Sequence, residues 1–195
     1  MLSLKNSLAV LRKTNALLEG HFVLSSGLHS SKYIQCAKLL SFPDKAEKIC
    51  KSLANKIKKN FTKIDLILAP AIGGIVIGYE IGRILKKETI FCERVKGKFV
   101  LRRGFKIKKG SKVLIVEDVI TTGKSSMECV KLIKKAKASI IGFASIIDRS
   151  TKKSLKIKKR IISHLKIDVP TYKSNSLPSE LKLIPITTPG SRFIK

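Results

Sequence analysis

The chain has 195 residues, enough for one domain or one domain with a small hood. Hydrophobic residues at 44% against 28% charged permit a buried core and exclude a disordered chain. Forty-one Lys and Arg against 13 Asp and Glu give a net charge of +28, which excludes an ordinary acidic balance, and aromatics at 6% without Trp weaken any reading built on stacked bases.

Residues 3–18 are predicted as a surface helix, because their apolar residues recur at helical spacing but are broken by Lys5, Arg12 and Lys13. That break also argues against a signal peptide. Residues 21–36 read as a hairpin around Ser26-Gly27. Pro43 opens a helix to about Lys59, with Ala46, Ile49, Cys50, Leu53 and Ile57 on one face. An apolar strand follows at 64–70, then a helix over about 75–86 entered through Gly73-Gly74, then a strand at 89–92. VLIVEDV at 113–119 is the clearest buried strand, followed by a helix from Gly123 to Lys137 and a strand at 139–148. Alternation of continuously apolar strands with helices predicts an α/β fold with a mostly parallel central sheet flanked by helices. The core is expected at about 41–150, and the tail after 150 is expected to add a strand and a short helix.

Residues 93–110, ERVKGKFVLRRGFKIKKG, carry eight basic residues and one acid, with three glycines. Two readings stand: a solvated β-ribbon, or a mobile lid that closes over a polyanion, the latter favoured by length and charge.

Of the 41 basic residues, 33 are Lys and 8 Arg, scattered along the chain. A nucleic-acid surface more often uses Arg for bidentate contacts, so a Lys-biased surface with no specific nucleic-acid partner is expected. Its field still draws in anionic small molecules. The cysteines at 36, 50, 92 and 129 form no CxxC pair, and the histidines at 21, 29 and 164 add no zinc spacing. Cys92 and Cys129 read as core positions. The longest apolar stretch, 64–79, holds Asp65, Pro70 and two glycines and is too interrupted to span a membrane. A cytoplasmic protein with reduced thiols is the expectation.

The chemistry sits at 113–126, VLIVEDVITTGKSS. A buried strand ends in Glu117-Asp118 and runs through a hydroxyl- and Gly-rich turn into a helix. Free backbone N–H groups at the positive end of a helix dipole make a phosphate cradle. Carboxylates beside a phosphate are repulsive unless they hold hydroxyls or a cation; a sugar phosphate meets both needs. A Walker-A loop lacks its first glycine, since position 118 is Asp.

This run resembles the phosphoribosyl-pyrophosphate (PRPP) motif of type I phosphoribosyltransferases. With GHFVLSSGLHSSKYIQC at 20–36, ERVKGKFVLRRGF at 93–105, IIDRS at 146–150 and IPITTPGSR at 184–192, nearly the whole chain resembles the orotate phosphoribosyltransferase family. The resemblance implies a type I phosphoribosyltransferase-like fold, a single domain over 1–195 with a hood of about 1–40 plus the tail, and a mobile loop at about 93–110. It implies transfer of phosphoribosyl from PRPP to orotate, giving orotidine 5′-monophosphate and pyrophosphate in de novo pyrimidine synthesis. It also implies Mg²⁺ bound mainly through PRPP, with no protein metal site, and a homodimer whose loop crosses over.

Residue by residue, the resemblance implies that Glu117 and Asp118 hold the ribose hydroxyls and that Val119, Ile120, Thr121, Thr122, Gly123, Lys124 and Ser125 complete the PRPP site, with Thr121 through Ser125 around the 5-phosphate. Thr121, Arg149, Ser26 and Lys32 fall to orotate. Arg94, Lys96, Lys98, Arg102, Arg103 and Asp118 fall to catalysis. Two departures stand out: Val95 replaces the lysine that longer-loop members place after the arginine, and Gly73 lies in the pyrophosphate turn where those members have lysine. A purine phosphoribosyltransferase, a PRPP-sensing or RNA-binding regulator and a P-loop NTPase are the competing readings.

Overall fold

The computed structural model describes residues 2–24, 26–151 and 154–188, which fall into two compact units. The larger unit comprises residues 1–2 and 43–167, and the smaller 3–42 and 168–195.

The smaller unit begins with α1 (Leu4–Lys13), capped by the Ser3 hydroxyl, which accepts the Asn6 N–H. This helix ends sooner than its apolar spacing predicts. The Thr14 hydroxyl donates back to the Val10 carbonyl and Asn15 turns left-handed at φ +53, which frees Leu17 and Leu18 for a strand. Strands β1 (Leu17–Val23) and β2 (His29–Ile34) form the expected hairpin, followed by a short helix α2 (Cys36–Leu40).

The larger unit opens with α3 (Pro43–Asn60), whose predicted inner face is buried. It continues through β3 (Leu66–Pro70), α4 (Gly73–Leu85), β4 (Glu88–Val95), β5 (Lys98–Leu101), β6 (Lys112–Ile120), α5 (Lys124–Lys135), β7 (Ser139–Asp148) and β8 (Ile161–Lys166). The tail then returns to the smaller unit, where β9 (Thr171–Tyr172) and β10 (Ile186–Thr187) flank the hairpin in the order β10-β1-β2-β9, with α6 (Ser179–Lys182) between them. Of the 184–192 segment, residues 189–192 lie outside the described residues.

The main sheet runs β5-β4-β3-β6-β7-β8 and is parallel except for β5. The chain goes outward one way through β4 and the other way through β6 and β7. The order therefore reverses between β3 and β6, where open α/β sheets bind ligands beyond the strand ends. β3 is buried along its whole length, as its unbroken LILAP run requires.

Helix α4 approaches the sheet unusually closely. A Cβ on Gly74 would lie 3.0 Å from the Pro70 ring, and one on Gly78 would lie 2.8 Å from the Ala69 Cβ. The glycines that mark a turn in sequence thus serve as a flat helix face, and α4 begins at Gly73 rather than at 75.

The 93–110 segment is ordered at its start into the β4–β5 hairpin, closed by a two-residue turn with Lys96 at φ +47 and Gly97 at φ +77. Phe99 and Ile107 are buried in the cluster under α5, with Phe105 packed against it. The ribbon reading describes residues 93–101.

Candidate active site

Glu117 and Asp118 are consecutive on β6, so their side chains leave opposite faces of the sheet. Each meets the start of a different helix. Glu117 is 8% exposed and accepts hydrogen bonds from the hydroxyl and the backbone N–H of Ser126 in the first turn of α5. Asp118 lies against Gly73 in the first turn of α4; a Cβ there would stand 2.8 Å from the carboxylate. Its Oδ1 accepts the Val119 N–H at 2.9 Å. The adjacent acids therefore tie together the starts of the helices that follow β3 and β6, at the point where the sheet order reverses.

Burial raises the pKa of both acids. Glu117 is pushed up to about 7, chiefly by desolvation and further by the neighbouring Asp118 charge, against the Ser126 hydrogen bonds that lower it. Asp118 is raised by desolvation against its backbone hydrogen bonds. For Glu117 the folded state holds its proton more tightly than the unfolded chain. Its contribution to stability is present in full below about pH 4.5 and is lost as pH rises through about 7. In Glu117→Gln the fall in unfolding free energy between pH 5 and 7 is expected to flatten, read by urea titration at each pH; an identical slope contradicts this ionisation.

The turn between β6 and α5 is shaped for an anion. Gly123 caps α5 at φ +71 without a capping side chain; of the first-turn N–H groups, that of Lys124 donates to the Thr122 hydroxyl at 3.3 Å and that of Ser126 to Glu117, which leaves the Ser125 N–H and the positive end of the helix dipole facing the turn. A Cβ on Gly123 would come within 2.7 Å of Ile157, so the turn is pressed onto the segment before β8. The Lys156 N–H donates to the Thr122 carbonyl at 3.0 Å and fixes it from the same side. Thr121, Thr122 and Lys124 are exposed, while Val119 and Ser125 are half-buried and Ile120 is buried.

Strand pairing brings Arg149 to this turn. Ile120 is in register with Asp148, and the Arg149 N–H donates to the Ile120 carbonyl at 2.8 Å. Thr121 and Arg149 thus leave neighbouring strand ends together. Asp148 is buried, and its Oδ1 accepts the Ser150 N–H at 2.8 Å.

The hairpin cations divide. Arg94 sits 2.8 Å from Glu128 of α5, with its guanidinium 4.2 Å from the centre of the Phe99 ring. Arg103 pairs with Glu93 at 3.0 Å. Lys96, Lys98 and Arg102 are exposed. Ser26 and Lys32 belong to the smaller unit, Ser26 exposed in the β1–β2 turn and Lys32 half-buried on β2.

Sequence reasoning missed Gly73 as a seat for Asp118, Ser126 as the partner of Glu117, and Glu128 as the partner of Arg94. Only the Gly-Gly pair left a trace in the sequence, and it read as a turn. Among the described residues no three His, Cys, Asp or Glu side chains cluster as metal ligands. Oxygen donors at 117 and 118 suit a hard cation carried by a substrate, since Mg²⁺ commonly uses one or two carboxylates plus substrate phosphates.

The phosphoribosyl transferase domain model matches residues 42–175, and with the sheet and the acidic turn it defines a phosphoribosyltransferase, the class that uses PRPP. The orotate phosphoribosyltransferase of Parvibaculum lavamentivorans is 46% identical over 183 residues, 93% of this chain and 94% of its own. That of Caldicellulosiruptor saccharolyticus is 46% identical over 184 residues, 94% of this chain and 95% of its own. The chain belongs to the orotate phosphoribosyltransferase family. The same fold occurs in the Aeropyrum pernix orotate phosphoribosyltransferase, at a TM-score of 0.71 and 23% identity over 82% of this chain and 92% of that one. It recurs in the Saccharomyces cerevisiae adenine phosphoribosyltransferase, at 0.65 and 18% over 81% and 99%.

Proposed function

We propose that the chain transfers the phosphoribosyl group of PRPP to orotate, releasing pyrophosphate and orotidine 5′-monophosphate for pyrimidine nucleotide synthesis. The observation that carries this reading is the placement of Glu117 and Asp118 between two helix starts. Ribose hydroxyls bind the carboxylates, the 5-phosphate occupies the Thr121–Ser125 turn, and pyrophosphate lies toward the backbone around Gly73. Mg²⁺ carried by PRPP would neutralise the pyrophosphate charge when bound, and Glu117 and Asp118 are the carboxylates that would hold it.

Breaking the bond from C1 to the pyrophosphate oxygen leaves positive charge on the sugar and negative charge on the departing group. Asp118 stabilises the first, and the cations at 94–103 the second. Orotate N1 attacks from the opposite face, so no covalent enzyme nucleophile is needed. Thr121 and Arg149 face orotate, Arg149 offering a planar donor pair to its carboxylate. Ser26 and Lys32 are assigned to orotate by family resemblance alone. Closing the 93–110 segment over the substrate excludes water, which would otherwise hydrolyse PRPP.

Arg94 and Arg103 are held by glutamates of their own chain, so charge must reach pyrophosphate from Lys96, Lys98 or Arg102, or by exchange of those pairs. Removing Arg102 and Arg103 together is expected to lower kcat by about 10- to 100-fold with little change in orotate affinity. An unchanged rate removes both from the mechanism.

We further place the enzyme in the cytoplasm as a homodimer. Its four cysteines are buried and form no disulfide among the described residues, and no helix among them is long and apolar enough to cross a membrane. Spectrophotometry with orotate, PRPP and Mg²⁺ tests the activity. Loss of orotate only when PRPP is present is expected. Consumption of adenine or xanthine in place of orotate contradicts the assignment, and salt-sensitive RNA binding without any nucleotide product supports a regulator instead.

A further inference from the structure

The end of β4 sends its charged side chains to both faces of the sheet. The Cys92 sulfur lies 3.4 Å from that of Cys129, so Cys92 and Arg94 face α5, where Glu128 holds the arginine. The alternate residues face α4, because a Cβ on Gly78 or Gly82 would meet Thr89. Glu93 therefore leaves β4 on the face that carries Asp118 and Gly73.

Glu93 is also level with the turn that follows β3. Pro70 pairs with Cys92, and the Ala71 N–H donates to the Cys92 carbonyl at 2.8 Å, which puts Glu93 beside Ala71. Leu68 pairs with Ile115, which brings Asp118, three residues on, to the same level from the other side of β3. The turn thus leaves the sheet between two carboxylates.

One of them holds a loop cation. Glu93 Oε1 is 3.0 Å from Arg103 Nη2, and the guanidinium lies 5.7 Å from the centre of the Phe91 ring. Arg103 sits at φ +55 and Gly104 at φ +73, in a turn closed by the Phe105 N–H donating to the Arg102 carbonyl at 2.9 Å. A non-glycine residue in this region is uncommon, and such conformations gather at functional sites. The Glu93 Oε2 is buried without a hydrogen-bond partner among the described residues, and the Arg103 side chain is 59% exposed. A single exposed contact of this kind is weak and yields to a stronger anion. Arg94 contrasts with it: Nη1 serves both Glu128 and the Gly97 carbonyl, and the guanidinium stacks on Phe99. We propose that Arg103 is the loop cation that meets the departing pyrophosphate beside the Ala71–Gly73 turn, and that Glu93 is the residue that positions it there.

The inference rests on the transfer reaction proposed above and chooses among the cations left open there. Two effects oppose each other when Glu93 is removed. Loss of one negative charge favours pyrophosphate, but that charge is partly exposed and screened by salt. Loss of the guanidinium's fixed place is the larger effect, since misplacing a catalytic group by about 1 Å costs about 10²-fold.

Arg103→Gln is expected to lower kcat about 10- to 100-fold with the KM for orotate held, and Arg102→Gln to lower it less. Glu93→Ala is expected to lower kcat about tenfold in the wild-type background and no further in the Arg103→Gln background, with melting curves confirming that each variant folds. A larger loss from Arg102→Gln, additive losses at 93 and 103, or a rise in kcat on removing Glu93 overturns the proposal. Calorimetry with inorganic pyrophosphate and Mg²⁺ reads the same contact without orotate. Binding to Arg103→Gln is expected to be at least about tenfold weaker than to wild type, and equal binding overturns the proposal. If this loss is seen in a protein that consumes no orotate, the contact stands and the choice of base falls.

Discussion

Asp118→Asn is expected to lower kcat by about 10²- to 10³-fold, the range for removing one preorganised electrostatic group in a water-poor site. Asn has the size of Asp, and its amide oxygen still accepts the Val119 N–H, so the end of β6 keeps its shape. What disappears is a carboxylate that receives a ribose hydroxyl and faces the developing positive charge on the sugar. The thermal midpoint is expected to hold, or to rise slightly, because burial penalises the ionised Asp118. Steady-state kinetics beside a melting curve separates the effects. A variant with wild-type turnover contradicts the role of Asp118.

Gly123→Ala has the second large effect, for a different physical reason. Gly123 sits at φ +71, where an L side chain is strained by about 1–2 kcal/mol. The new methyl also meets Ile157 at 2.7 Å, and overpacking of this kind costs about 1–3 kcal/mol more. Relief comes by turning the Ile157 side chain away or by shifting the cap of α5, and the second moves the N–H groups of the phosphate turn. The KM for PRPP is expected to rise at least about tenfold as the cradle loosens. Gly97→Ala is the control. It has a similar φ of +77 but nothing within 4 Å of the added methyl, so it carries the backbone strain alone. Equal effects on PRPP from both substitutions contradict the cradle assignment.

The strands of the main sheet were legible because they are buried on both faces and read as unbroken apolar runs, as LILAP and VLIV do. The acidic pair and its turn were legible for the same reason: they interrupt such a run. Three features were not. β8, IISHLK, lies in a lysine-rich stretch whose composition masks its two buried residues, and it carries the larger unit on to Ile167. The start of α4 was obscured because glycine signals a turn locally, whereas here close approach of Gly73 to Asp118 and of Gly74 to Pro70 demands it. The partners of the site acids were invisible because pairing of Asp118 with Gly73 spans 45 positions and follows from strand order, which no local pattern encodes. The family resemblance supplied the roles of the loop cations, while the structure shows which of them already hold glutamates.

The central claim is that one activated pentose is gripped between the acids of β6 and the turn that follows. A crystal structure of the protein soaked with PRPP and Mg²⁺ tests it most directly. The account predicts the 5-phosphate on the N–H groups of residues 121–125 and the ribose hydroxyls on Glu117 and Asp118. PRPP bound away from residues 117–125 would contradict it.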